Sequence, residues 1–172
     1  MPSRRGRSRP RVADLSALLE ALTKADIEFI VVGGLAAVAQ GAPITTMDMD
    51  IVHRQSNDNI EKLLALLKKV DAIHRRPDDK ILEPQKQDLS GRGHALFTTR
   101  FGPLDVLAVI EEGRGYEDLL PDTIEIKFRG HKVRMLSLKT LVELKKCSRD
   151  PRDHQRLPVL LETLRQSNDN NG

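Results

Sequence analysis

One stretch limits the fold of this chain more than any other. An apolar run, IEFIVV, leads directly into Gly33-Gly34 and then into LAAVAQ. The run is short and rich in β-branched residues, which predicts a buried strand, and the stretch after it predicts a short helix that ends at Gly41. Glycines at such a junction let the backbone approach a phosphate closely, although a strand-to-helix turn often needs glycine for steric reasons alone.

A second strand is predicted from TTMDMDIVH, where acidic and apolar residues alternate. Residues two apart on a strand project from one face, so Thr46, Asp48 and Asp50 would lie together. The other face, expected in the core, carries Met47, Met49 and Ile51. Two carboxylates about 7 Å apart or less repel each other, and Mg²⁺ between them would keep both ionised. Taken alone, a D-x-D pair is more often two hydrated acids on an exposed strand end.

Asp105 interrupts PLDVLAVI, a run apolar enough for a central strand. An unpaired charge at that position would cost several kcal/mol. A lysine or arginine could neutralise it, and so could a metal ion shared with Asp48 and Asp50. Three carboxylates on neighbouring strands suit in-line phosphoryl or nucleotidyl transfer, with metal ions on both sides of the reacting phosphate.

The remaining patterns predict an α+β (mixed α/β) fold with a mixed sheet flanked by helices. Three helices are expected to begin after the N-cap residues Asp14, Ser56 and Ser137, and a last helix covers about 151–165. HALFTTRF with PLDVLAVI, and TIEIKF with KVRML, predict two hairpins. Residues 71–93 give no clear pattern. The predicted divisions are a disordered Arg-rich tail (1–12), an α/β domain (13–136), C-terminal helices packed on it (137–166) and a disordered tail (167–172).

The charge is unevenly distributed. The net charge is +3, but five of the 28 Lys and Arg residues lie within the first 11 positions, and the remaining 23 face 25 acids. The basic character therefore belongs to the N-terminal tail, which could contact RNA or another polyanion or could be solvated without a partner. Aromatic residues make up only 3% of the chain, which argues against a surface that stacks bases.

A single cysteine, Cys147, excludes an internal disulfide and suits a reducing compartment. We interpret Cys147 as a small apolar filler. The sequence has no run of about 18 apolar residues and no apolar stretch after its arginine-rich start, so neither a membrane helix nor a signal peptide is predicted. The expected location is the cytoplasm.

The order of these motifs resembles the minimal nucleotidyltransferases of the DNA polymerase β superfamily. Gly33-Gly34, thirteen spacer residues, Asp48-Met49-Asp50 and a later lone acid, Asp105, all match that family's pattern. The likeness is closest to the AbiEii-like branch, which includes toxins of toxin–antitoxin pairs. That branch shares Gly-Gly-x-Ala, Gly-x-Pro and Thr-x-Asp-x-Asp, and it tends to carry a helical lysine followed by a basic residue and an Asp, here Lys145, Arg152 and Asp153.

The resemblance implies a nucleotidyltransferase-like domain over 13–136 that moves a nucleotide from an NTP, such as ATP, to a hydroxyl group. Asp48, Asp50 and Asp105 would hold Mg²⁺ or Mn²⁺, and Asp105 would also be the base that takes the acceptor's proton. The implied nucleotide-binding residues are Gly33, Gly34, Thr46 and Lys145. RNA, a protein or a small molecule would be the acceptor, and a cognate antitoxin would be a partner if the chain is a toxin.

Two departures from the branch bear on activity. Ile44 stands where the branch commonly has an arginine, and Arg156 stands where it has a second C-terminal Asp. They favour, as an alternative, a catalytically poor nucleotide- or protein-binding module that retains the fold. An RNA-binding adaptor built on the Arg-rich tail lacks support in the rest of the chain. Of the histidines, His94 could reach a triphosphate, while His53 is expected on the surface.

Overall fold

The computed structural model describes residues 13–172, and it builds them around one seven-stranded mixed sheet of order β3-β4-β5-β2-β1-β7-β6. The strands are β1 (Phe29–Val32), β2 (Met49–His53), β3 (Ile73–His74), β4 (His94–Thr99), β5 (Gly102–Leu107), β6 (Thr123–Phe128) and β7 (His131–Leu136). The helices are α1 (Leu15–Lys24), α2 (Gly33–Ala39), α3 (Asn57–Lys69), α4 (Lys86–Ser90), α5 (Tyr116–Leu119), α6 (Leu138–Cys147) and α7 (Pro151–Asn170). The predicted α+β class is confirmed.

The centre of the sheet is formed by β1, β2 and β5. β1 runs antiparallel to β2, and β2 runs parallel to β5. All four residues of β1 are buried, as its unbroken apolar sequence predicts. Helices contribute apolar side chains to the same core, among them Leu18, Leu63 and Leu160, which are fully buried. The strands that carry the acids are therefore held by neighbours on both sides.

The predicted helix starts are confirmed by their caps. The side chains of Asp14, Ser56 and Ser137 each accept a hydrogen bond from a backbone N–H in the first turn of the helix that follows. Such caps satisfy donors that have no partner within the helix. Both predicted hairpins form as well, β4 with β5 and β6 with β7.

The strand predicted from TTMDMDIVH is shorter than expected. β2 begins at Met49, so Thr46 and Asp48 lie in the irregular segment before it. Met49 and Ile51 are buried, but Met47 is 63% exposed, and its predicted place in the core is wrong. The alternation that assigned these six residues to two opposite faces needs a paired strand, and residues 43–48 have no strand neighbour.

The C-terminal part of the chain differs from expectation. α7 continues to Asn170, so the predicted helix end near 165 is wrong, and most of the segment 167–172 is helical. The Arg-rich tail lies outside the described residues. Cys147 is exposed, so its interpretation as an apolar filler is also wrong. No helix within 13–172 is long and apolar enough to cross a membrane.

Candidate active site

Two of the predicted acids meet on the central strands. In the parallel pairing of β2 with β5, Asp50 lies opposite Asp105, and paired residues of this kind point to the same face. Both acids are half-buried. On the far side of Asp105, its partner on β4 is Leu96, which is 39% exposed. The sheet face that carries the acids is therefore open to solvent here.

Gly33 brings the backbone of the strand-to-helix turn against Asp50. Its φ of +68° lies in the left-handed region, which favours glycine. A methyl group added at Gly33 would stand 2.3 Å from Asp50 Oδ2, well inside van der Waals contact. Glycine is thus required at this position by its conformation and by the space that the carboxylate occupies.

The second glycine faces different groups. A methyl group added at Gly34 would lie 3.0 Å from Thr46 Oγ1 and 3.4 Å from Arg156 Nη1. Thr46 is fixed in part by a hydrogen bond of 3.2 Å from its hydroxyl to the backbone carbonyl of Asp48. The two glycines therefore separate a carboxylate on one side from a hydroxyl and a guanidinium on the other.

The pKa of Asp50 is raised to about 7, mainly because burial disfavours the ionised form of its carboxyl group. A hydrogen bond to the Asp105 carboxyl group and the negative charges of Asp105 and Asp48 act in the same direction, while Arg75 opposes them. The exposed Asp48 is thus close enough to act on Asp50, although it lies outside the strand. Near neutral pH, the Asp50 carboxyl group is therefore only partly ionised.

Arg75 is a residue of the site that the sequence did not identify. Its Nη2 atom donates to Asp105 Oδ1 at 3.0 Å and to the carbonyl of Phe97 at 2.8 Å. Of the two alternatives left open for Asp105, a basic partner is therefore present. Arg75 follows β3 in the segment 71–93, whose sequence has no clear period, and only the pairing of β3 with β4 brings it to the acid.

Within residues 13–172, no group of three or more His, Cys, Asp or Glu side chains is arranged to hold a metal ion. The chemistry of the donors nevertheless fits a divalent cation. Asp50 and Asp105 are adjacent oxygen donors, and their mutual repulsion is what such a cation relieves. Asp48 would be a third oxygen donor beside them. Without a cation, Arg75 partly neutralises the Asp105 carboxylate.

Lys145 already has a partner. Its ammonium group donates to Asp153 Oδ1 at 3.0 Å, and the Ser148 hydroxyl donates to the other oxygen of that carboxylate at 2.6 Å. The Lys145 side chain is only 14% exposed. The structure thus joins two of the residues that the sequence pattern singled out, but in an ion pair between α6 and α7. A phosphate contact by Lys145 stays a prediction.

His53 and His94, the two histidines considered in the sequence analysis, have opposite environments. His53 is 2% exposed, and its ring nitrogens face the carbonyls of Leu89 and Leu107 at 2.8 and 3.2 Å. The expectation that His53 lies on the surface is wrong, because the strand β2 carries it into the sheet. Burial lowers the pKa of its imidazole. His94 is exposed at the start of β4.

Comparison with solved structures identifies the fold. The chain is similar to the lincosamide antibiotic adenylyltransferase LnuA bound to lincomycin, with a TM-score of 0.59 and 13% identity over 88% of this chain and 98% of that one. For ANT(2")-Ia in complex with adenylyl-2"-tobramycin the values are 0.55 and 14%, over 87% and 89%. An antigenic nucleotidyltransferase-like protein from Paracoccidioides brasiliensis gives 0.52 and 16%, over 88% and 74%.

The chain therefore has a nucleotidyltransferase-like fold, as the motifs predicted. Identities this low show the fold alone. No protein-family model and no curated protein matches the sequence.

Proposed function

We propose that this protein is a nucleotidyltransferase that moves a nucleoside monophosphate from a metal-bound NTP to a hydroxyl acceptor. One observation carries the proposal: Gly33 adjoins the Asp50 carboxylate, while Gly34 adjoins the Thr46 hydroxyl and the Arg156 guanidinium. A metal–triphosphate has a cation that suits the carboxylates and phosphate oxygens that suit the donors. The glycines leave room for it to approach the backbone.

Asp50, Asp105 and Asp48 would hold Mg²⁺ or Mn²⁺, which supplies positive charge to the reacting phosphate and to the leaving group. The acceptor oxygen forms a bond to the α-phosphorus, the bond from phosphorus to the bridging oxygen breaks, and pyrophosphate leaves. The acceptor proton passes to a carboxylate. Asp105 is suited to take it, because it lies on the open face beside the exposed Leu96.

We propose a hydroxyl-bearing small molecule as the acceptor of the nucleotide. RNA and protein are the other acceptor classes that the test includes. The fold comparisons support this preference, because LnuA is described with lincomycin and ANT(2")-Ia with an adenylylated tobramycin. The toxin role with a cognate antitoxin depends only on the sequence resemblance to the AbiEii-like branch. An action in the cytoplasm likewise stays a prediction from the sequence.

The alternative is a nucleotide- or protein-binding module that keeps the fold but catalyses poorly. The contact between Arg75 and Asp105 favours it, because a guanidinium bound to the carboxylate competes with a metal ion for the same oxygen. Arg75 is 36% exposed and Asp105 18% exposed, so the pair is partly hydrated. A divalent cation can displace such a partner at lower cost than a fully buried one.

The test is transfer of label from each α-labelled NTP, with Mg²⁺ or Mn²⁺, to RNA, to the protein itself and to a panel of hydroxyl-bearing small molecules. Asp50→Asn and Asp105→Asn should each lower the rate by about 10²–10³-fold, the scale for lost stabilisation of charge in a transition state. Asp79→Asn, which alters an exposed loop carboxylate, should retain it.

Asp105→Asn should remain folded and lose about 1 kcal/mol or less in urea unfolding, because its partner Arg75 is partly exposed. Nucleotide binding without any transfer by the wild-type protein would favour the binding module. A loss of several kcal/mol would instead make Asp105 a structural residue.

A further inference from the structure

Arg156 stands out among the arginines of α7 by its position. Arg156 is the sixth residue of the helix and is exposed. Its Nη1 atom nevertheless lies 3.4 Å from the position that a Cβ atom at Gly34 would occupy. Thr46 Oγ1 approaches the same point to 3.0 Å. Three segments that are distant in sequence thus converge at this turn.

Helix packing fixes the position of Arg156. Seven residues after Gly34, a methyl group at Gly41 would lie 3.9 Å from Thr163, which itself is seven residues after Arg156. α7 therefore passes along the segment 34–41 in the same direction, with matching spacing. Thr163 and Leu160 are buried on this side of the helix. Arg156 is consequently delivered to the start of α2 by a packed helix and not by a loop.

The guanidinium of Arg156 has unused donors. Within the described part of the chain, no hydrogen bond or ion pair of Arg156 is formed, whereas Arg152 binds Asp150 and Arg165 binds Glu162 and Asp169. The nearest acid one turn earlier, Asp153, is occupied by Lys145 and Ser148. An arginine held at a glycine turn, beside a hydroxyl and without a carboxylate of its own, is suited to an anionic ligand.

Resting on the function proposed above, we infer that Arg156 binds the non-bridging oxygens of the β- and γ-phosphates of the incoming NTP, together with the Thr46 hydroxyl. The reason for a polyphosphate is the adjacent Gly33, which faces Asp50. A ligand that spans the turn must present negative charge at Gly34 and a cation at Gly33, and a metal–polyphosphate does both. Arg156 thus acts in binding the leaving pyrophosphate portion.

The test measures binding of inorganic tripolyphosphate, with Mg²⁺ present, by isothermal titration calorimetry. Arg156→Gln should weaken binding by about tenfold or more, and Arg156→Lys should give an intermediate loss, since lysine keeps the charge but not the two-pronged geometry. Arg165→Gln, on the same helix and with the same change in charge, should leave the Kd within about twofold. Urea unfolding of all three variants should match the wild type.

Tripolyphosphate has no nucleoside to transfer, so its binding is independent of catalysis. If the wild type transfers nothing but binds tripolyphosphate, and Arg156→Gln alone weakens that binding, the proposed function fails and the role of Arg156 stands. If the wild type transfers nucleotide while Arg156→Gln binds tripolyphosphate as tightly as the wild type, the role of Arg156 is wrong. Failure of the wild type to bind tripolyphosphate would also overturn it, and so would equal losses in Arg156→Gln and Arg165→Gln.

Discussion

The acidic and basic halves of the candidate site are built from different kinds of sequence. The acids Asp50 and Asp105 lie on two strands that pair in register at the centre of the sheet. The bases that accompany them, Arg75 and Arg156, come from an irregular segment after β3 and from the last helix, where it passes beside the glycine turn. The acidic half is set by adjacent strands, whereas the basic half depends on where distant segments pack.

This difference indicates which part of such a site varies with least effect on the fold. A charged residue in an apolar strand needs a compensating partner, so Asp50 and Asp105 constrain everything around them. Arg75 and Arg156 are both exposed and cost little to change. Ile44, which lacks the donor expected from the branch resemblance, packs against the core. In our proposal, Arg156 supplies a guanidinium from another element.

The largest effect is expected when the turn itself is changed. Gly33→Ala places a methyl group where Asp50 Oδ2 now stands and forces alanine into a left-handed conformation, which costs about 1–2 kcal/mol for that conformation alone. Moving the carboxylate adds to the loss. We expect urea unfolding to show a destabilisation of about 2–4 kcal/mol and nucleotide binding to weaken.

Gly130→Ala is the matched control for Gly33→Ala. Gly130 also has a positive φ, +79°, but a methyl group there would meet nothing within 4 Å. It should therefore show the conformational cost only, about 1–2 kcal/mol. Equal losses in the two variants, with binding intact in both, would mean that contact with Asp50 is unimportant.

The sequence indicated that Asp50 and Asp105 lie on neighbouring strands, because Asp50 belongs to an alternating pattern and Asp105 interrupts an apolar run. A charge inside PLDVLAVI and a glycine pair after IEFIVV are visible without any knowledge of packing. It could not identify Arg75, because residues 71–93 have no period and β3 is only two residues long. Likewise Arg156 was apparent only as a departure from a family pattern, since nothing local indicates that α7 passes beside Gly34. The burial of His53 was missed although His53 shares the strand face of Met49 and Ile51, which the alternation assigned to the core.

A smaller effect should appear in the dependence of stability on pH. The pKa of Asp50 is about 7 in the folded protein against 3.8 without the fold, so the native state holds a proton that the unfolded chain releases. This contribution is fully present below about pH 4 and is lost as pH rises through 7. The free energy of unfolding of the wild type, relative to Asp50→Asn, should fall by about 1–3 kcal/mol over that range.

The pH comparison is made by urea unfolding in EDTA at several values from pH 4 to 8. Subtracting the Asp50→Asn curve removes the contributions common to both proteins. One of these comes from His53, whose lowered pKa reduces the stability of the folded protein as the pH falls. Asp79→Asn, in an exposed loop, should run parallel to the wild type. If the difference in unfolding free energy between the wild type and Asp50→Asn stayed constant from pH 4 to 8, the pKa of Asp50 would not be raised by the fold.

The smallest effect on stability is expected from Arg75→Gln, about 1 kcal/mol or less, because the guanidinium is 36% exposed.

The same substitution should strengthen the binding of a divalent cation, although it slightly weakens the fold. Without Arg75, the carboxylates of Asp105 and Asp50 repel each other more strongly, and a divalent cation gains a free oxygen on Asp105. The rise in Tm caused by Mg²⁺ with NTP should therefore be larger in Arg75→Gln than in the wild type. Arg76→Gln is the control, because the Arg76 guanidinium binds the exposed Asp78 and not Asp105, and this variant should leave that rise unchanged. A smaller rise in Arg75→Gln would contradict this expectation and make Arg75, like Arg156 in our proposal, a residue that binds the nucleotide.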